Sequence, residues 1–176
     1  GVLAEGLADY VRLQVLKQHY GADKMRKYLK YATDKYLRDR GNDRKGENPV
    51  IHEDNQPYIR YSKASVVLYA LSDYIGEETM NAALSSYVEQ VKFQEAPYTT
   101  SLELVKFLRA ATPDSLQYTI TDMFETITLY DNKMVNATSK KLANGQYEVE
   151  LEFQVTKYRS DEEGNRSYGE QMGETE

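Results

Sequence analysis

Cysteine is absent from the 176-residue chain. That excludes thiol catalysis, Cys-based zinc sites and disulfides together. It leaves the compartment open. Histidine is scarce, with two residues. A histidine-based zinc site takes two His on one helix face or three convergent ligands. His19 stands alone near a helix end, where an imidazolium would meet the C-terminal dipole favourably. His52 opens His52-Glu53-Asp54-Asn55-Gln56, which is HExxQ rather than HExxH, in a loop between Pro49 and Pro57. No metal site is expected there. A GxSxG elbow, a phosphate-binding loop and a GxGxxG turn are also missing, so no complete active site is written in the sequence. No run of 18 apolar residues exists, hence no membrane-spanning helix is expected. The opening Gly1-Val2-Leu3-Ala4-Glu5 has no basic n-region and no Met, unlike a signal peptide. It reads as the middle of a helix, and a piece of a larger domain is expected.

What is present is ordinary for a globular chain. Hydrophobic residues make up 40% and charged residues 28%, enough for one domain, or a small domain plus an appendage. The net charge of −6 argues against a nucleic-acid partner, since phosphate contacts need clustered Lys and Arg. The densest basic stretch, Lys24, Arg26, Lys27 and Lys30, is interrupted by Met25, Tyr28 and Leu29 on a helix that must also pack. Sixteen tyrosines against four phenylalanines and no tryptophan read as half-buried helix faces, because tyrosine buries a ring and keeps a polar tip wet.

The first two thirds have helical period. Leu3, Leu7, Tyr10, Val11 and Val15 mark a first helix that Gly21 ends. Met25, Tyr28, Leu29, Ala32, Tyr36 and Leu37 mark a second, to about Arg38. Residues 40–57 are polar and punctuated by Gly and Pro, hence a long loop. A third helix is expected over Tyr61 to Tyr74, stopped by Gly76, and a fourth over Glu77 to Phe93. After Pro97, Thr100 and Glu103 have capping-box spacing at the start of a short fifth helix. Thr112-Pro113-Asp114 opens a sixth, ending near Ile127. The last quarter changes period. Tyr147, Val149, Leu151, Phe153 and Val155 alternate with Glu148, Glu150, Glu152 and Gln154, the pattern of a half-buried strand. Asn144-Gly145 marks a hairpin turn to a strand over about Lys133 to Leu142. Asp161 to Asn165 marks a second turn, before a third strand over Arg166 to Met172 and a frayed tail from Gly173. The expected fold is therefore mainly α, about six helices in a helical-hairpin array, followed by a short antiparallel β appendage. The expected division is 1–128 helical and 129–176 the start of a β-strand domain.

Two segments carry a resemblance. Glu5-Gly6-Leu7-Ala8-Asp9-Tyr10 resembles the E-G-x-A-x-Y segment of the aminopeptidase N-type gluzincin zinc metallopeptidases, with Ala4 where that family often has Asn. Tyr61-Ser62-Lys63-Ala64 resembles the Y-x-K-G/A segment that opens a later helix of the same family. Pro97 to Leu104 loosely resembles a Thr-rich, acidic helix start with a structural role there. The resemblance implies that Glu5 is the third ligand of a Zn²⁺ otherwise held by the two histidines of HExxH. It implies that Tyr61 donates a hydrogen bond to the oxyanion of the tetrahedral intermediate, as a neutral phenol can. The substrate implied is a peptide. Gly6 suits a close approach of one helix to another, having no side chain. The chain is most similar to the peptidase-like domains attached to ABC-transporter permease segments, which implies a soluble, extracytoplasmic or periplasmic part of a membrane-attached parent. Without HExxH, the chain alone is expected to hold no catalytic zinc and to be inactive. The other reading, from a different class, is a non-catalytic helical interaction or scaffold module.

Overall fold

The computed structural model describes residues 1–169. Six α-helices precede a three-stranded antiparallel sheet. A π-helical turn, Val2–Gly6, leads into α1, Leu7–Tyr20. The second helix, α2, is Met25–Asn42 and runs a turn beyond the Arg38 end expected from pattern. A loop with a single 3-10 turn, Val50–His52, then leads to a second π-helical turn, Tyr58–Lys63. That turn continues directly into α3, Ala64–Ile75, followed by α4, Glu77–Val91, and α5, Ser101–Ala111. The Thr100/Glu103 capping box forms in both directions at the start of α5. The single sixth helix expected from pattern is instead a composite. It consists of a 3-10 turn, Asp114–Leu116, one turn of α6, Gln117–Ile120, and a π-helical turn, Thr121–Glu125. Threonine explains part of this. The hydroxyls of Thr119 and Thr126 bond to the carbonyls of Leu116 and Thr121, which competes with a regular ladder.

The core runs through all the helices. Tyr10, Ile59, Leu68, Leu71, Met80, Leu104, Leu108, Ile120 and Phe124 are buried together. The buried face of α1 differs from the stripe read by period. Gly6, Tyr10 and Leu13 face inward, whereas Val11 and Val15 are exposed. Small residues explain the shift, because Gly6 and Ala64 allow the backbones to approach where a larger stripe would hold them apart. No helix among the described residues is long and apolar enough to cross a membrane.

The sheet has the order β1-β2-β3, with β1 at Ile127–Lys141, β2 at Tyr147–Ser160 and β3 at Arg166–Tyr168. Strand β1 starts six residues earlier than the pattern indicates, so helix gives way to strand at Thr126 with no linker. The β1–β2 register runs from Ile127 opposite Ser160 to Lys141 opposite Tyr147, with a bulge between Met134 and Asn136. The turn at Asn144-Gly145 lies where it was expected, and Leu142 N–H donates to Gln146 O across it at 2.8 Å. The base of the hairpin is tied to the helices. Ile127 and Tyr158 are buried, and Asp122 meets Lys157 Nζ at 3.0 Å and Arg159 at 3.4 Å. The outer part is not half-buried as its alternation predicts. Val149, Leu151, Phe153 and Val155 lie on one face with Ala137 and Met134, and that face is exposed. Alternation reports which residues share a face, not whether a second layer covers it. Residues 170–172 of the expected third strand and the expected frayed tail, Gly173 to Glu176, lie outside the described residues.

Candidate active site

Both candidate residues sit in π-helical turns that open a helix. Such turns are rare and widen the backbone locally. Glu5 lies in Val2–Gly6, where Ala4 N–H and Glu5 N–H share the carbonyl of Gly1 at 3.1 Å each. Tyr61 lies in Tyr58–Lys63, which starts after Pro57 with Ile59 and Arg60 N–H both bonded to Gln56 O at 3.0 Å. The two turns touch through Gly6. A Cβ placed on Gly6 would lie 2.8 Å from Ala64 Cβ and 3.2 Å from Arg60 O. Glu5 precedes the contact glycine, and Tyr61 follows the contact carbonyl. The Arg60 guanidinium lies within electrostatic reach of both Tyr61 and Glu5.

The state of each side chain matters for chemistry. Glu5 is half-buried, and its carboxylate makes no ion pair or hydrogen bond among the described residues. Tyr61 is 36% exposed and its hydroxyl likewise has no partner among the described residues. Each polar group is thus available to a ligand. The flanking groups, by contrast, are committed. Arg60 forms a two-nitrogen pair with Glu53, with Nη2 to Oε1 at 3.0 Å.

A buried polar network holds the Tyr61 turn from the other side. Its centre is Glu47, whose side chain is 2% exposed. The carboxylate accepts from Tyr36 Oη at 2.9 Å on both oxygens and is ion-paired with Arg40 and Lys63. A second set of bonds surrounds Gln56. Its amide nitrogen donates to Asp43 at 3.0 Å and to Gly46 O at 2.6 Å, while its own oxygen accepts from Asn48 N–H at 3.1 Å. Tyr58 Oη donates to Asp43 at 2.9 Å. Burial first, and then the Glu47 charge, push the Tyr36 phenol well above its ordinary 10.0. Burial and the bond to Asp43 push Tyr58 up as well. The bonds that Asp43 accepts from Lys45 N–H, Gln56 and Tyr58 hold its carboxyl below the ordinary range. Gly46 has φ of +82°, and its backbone lies directly against the carbonyl of Glu162 in the β2–β3 turn, so this loop also anchors the sheet.

Sequence motifs single out Glu5 and Tyr61, with Lys63 only as part of the Tyr61 motif, and give no functional signal for Glu47, Arg40, Tyr36 or Gln56. Their partners lie seven to sixteen residues apart in a segment that reads as loop. The one local signal was the loop's length, above the usual range for a segment without structure of its own. A concavity of about 680 Å³ is lined by Asp43, Gln56 and Tyr58, and neither Glu5 nor Tyr61 borders it.

The residues present fit a zinc centre in part. Glu5 supplies one carboxylate not engaged elsewhere. His19 lies fourteen residues further along the same helical run, roughly 20 Å away by helical rise. His52 is exposed at the end of its 3-10 turn, beside a glutamate already paired with Arg60. Among the described residues no group of three or more His, Cys, Asp or Glu is placed to hold a metal ion.

The family model for the peptidase family M1 domain matches residues 2–127, well over half of the chain. The chain belongs to peptidase family M1, and its helical part is a metallopeptidase-type domain of the aminopeptidase class. No curated protein and no solved structure matches it.

Two outcomes follow from the geometry. Gly6→Ala should destabilise the fold by up to about 2 kcal/mol in urea titration. The crowding against Ala64 costs about 1–3 kcal/mol, which outweighs a helix-propensity gain of about 1 kcal/mol. A stabilised variant would contradict the close approach. The raised Tyr36 phenol sets the second. Below pH 10.0 the phenol is neutral in both states, and above it only the unfolded chain ionises freely. Stability should therefore fall as pH rises past 10, by up to about 1.4 kcal/mol per pH unit for this group. Tyr36→Phe should flatten that alkaline slope in denaturation curves taken at successive pH values, and an unchanged slope would contradict the assignment.

Proposed function

We propose that this chain supplies the third zinc ligand, Glu5, and the oxyanion donor, Tyr61, of a zinc-dependent aminopeptidase-like centre that hydrolyses peptide bonds in the intact protein. The observation that carries the reading is the contact at Gly6, which sets Glu5 and Tyr61 on touching turns with both polar groups unengaged. Membership of family M1 implies zinc in the intact enzymes. When bound, zinc supplies polarisation of the peptide carbonyl and a water activated for attack. In this reading the two histidine ligands and the general base are supplied by other residues of the intact protein, and the expectation for the chain by itself is neither catalytic zinc nor peptide turnover.

The roles of this chain's own residues follow from their surroundings. Glu5 offers a carboxylate carried by a short helical turn, whose backbone is tied to Gly1 O. Tyr61 offers a phenolic proton from the neighbouring π-helical turn. A donor already in place where negative charge develops stabilises the transition state without reorganisation. The Arg60 charge beside both groups adds positive potential there and is kept in place by Glu53.

In the intact, zinc-loaded protein, Tyr61→Phe should lower kcat by about 10²–10³-fold, with little change in KM. The change removes one oxygen and leaves the ring. A variant with the kcat of the native protein would overturn the assignment. It would favour the reading of the chain as a non-catalytic helical interaction module.

A further inference from the structure

We propose that the buried ion pair between Lys63 and Glu47 is a positioning device for Tyr61, setting the direction of its hydroxyl by fixing the π-helical turn that carries it. The inference rests on the reading of Tyr61 as the oxyanion donor and adds the residues that hold it. Lys63 closes the turn Tyr58–Lys63, two residues after Tyr61. Its side chain is 9% exposed and reaches a carboxylate that is 2% exposed. A pair so placed is a poor source of stability, because desolvation of both charges offsets most of their attraction. Its value lies in geometry. Glu47 is also held by Tyr36 and Arg40 from α2, so the carboxylate that Lys63 meets cannot swing.

The rest of the turn is tied in the same way. Tyr58 at its start is bonded to Asp43 and to Gln56. Arg60 is paired with Glu53. Polar side chains before and after Tyr61 are thus anchored to the 43–57 loop, whereas the Tyr61 hydroxyl has no partner among the described residues. A π-helical turn is intrinsically less favourable than an α-helical one. Relaxing it to α-helix removes the extra residue and rotates what precedes it by about 100°, one residue's share of a turn. The direction of the Tyr61 side chain would change with it. Loss of the Lys63 ammonium removes the anchor at the end of the turn, after Tyr61.

The test reads Tyr61 first without any activity. The chain is labelled with 3-fluorotyrosine, and the Tyr61 line is assigned by its loss in Tyr61→Phe. Lys63→Met should shift or split that line while leaving the line of Tyr147, on the distant hairpin, in place. A Tyr61 line unchanged in Lys63→Met overturns the proposal. Should Lys63→Met fail to fold, Glu47→Gln combined with Lys63→Met leaves no unpaired carboxylate buried, and the same shift or its absence decides the matter.

Kinetics in the intact zinc-loaded protein then separate the two layers of the argument. Lys63→Met should lower kcat by about 10- to 100-fold with KM nearly unchanged, the scale of a misplaced reacting group. Lys63→Arg, which keeps the charge, should recover most of it. In a Tyr61→Phe background the Lys63→Met change should cost nothing further. An equal loss in both backgrounds would show a merely structural role and overturn the positioning proposal while leaving Tyr61 as the donor. A Tyr61→Phe protein with native kcat would instead remove the underlying reading, and this one with it.

Discussion

The turn that carries Tyr61 is joined at its end to one buried carboxylate. Glu47 is nearly inaccessible, yet it sits in a stretch dense in charge and glycine. A lone buried carboxylate would be intolerable at this depth, and three donors resolve it. Tyr36 and Arg40 come from the second half of α2, and Lys63 from the turn before α3. The anion therefore joins two helices that are separated by a long loop. It also fixes the loop, because the chain cannot leave without exposing two cations to a cavity or dragging them out. The α2 helix runs past Arg38 and carries Arg40, which pairs with Glu47.

From that anchor the candidate site is assembled by two backbones in contact. Ala64 at the start of α3 meets Gly6 at the start of α1, and no residue larger than glycine fits at the second position. Glu5 and Tyr61 are neighbours of these two contact points. Their polar ends are open, while Arg60, Lys63 and Tyr58 around them are all engaged. The match to peptidase family M1 over residues 2–127 covers both turns and the network that supports them.

Much of this was legible in the sequence where the physics is local. Thr100 and Glu103 are three residues apart and make their cap with each other, so spacing alone finds them. Asn144-Gly145 forms its turn from its own backbone, and α4 follows its apolar period. The family was legible through the short motifs around Glu5 and Tyr61. The network was not. Glu47 has partners seven, eleven and sixteen residues away, and nothing in its neighbours distinguishes it from a solvated loop acid. Burial of the β2 stripe was misread for a related reason. The alternation of Val149, Leu151, Phe153 and Val155 defines a face, but what covers a face is a long-range property. The composite sixth helix escaped notice because its threonines look like helix-tolerant polar residues until their hydroxyls take backbone carbonyls.

The claim that matters most is that Glu5 is a metal ligand rather than a solvated acid on a helix start. Zinc content of the intact protein, measured by atomic emission after exhaustive dialysis, tests it directly. The account predicts one zinc per chain in the native protein and loss of most of it in Glu5→Gln, with the helical content of both proteins alike. Full zinc retention by a folded Glu5→Gln protein would contradict it.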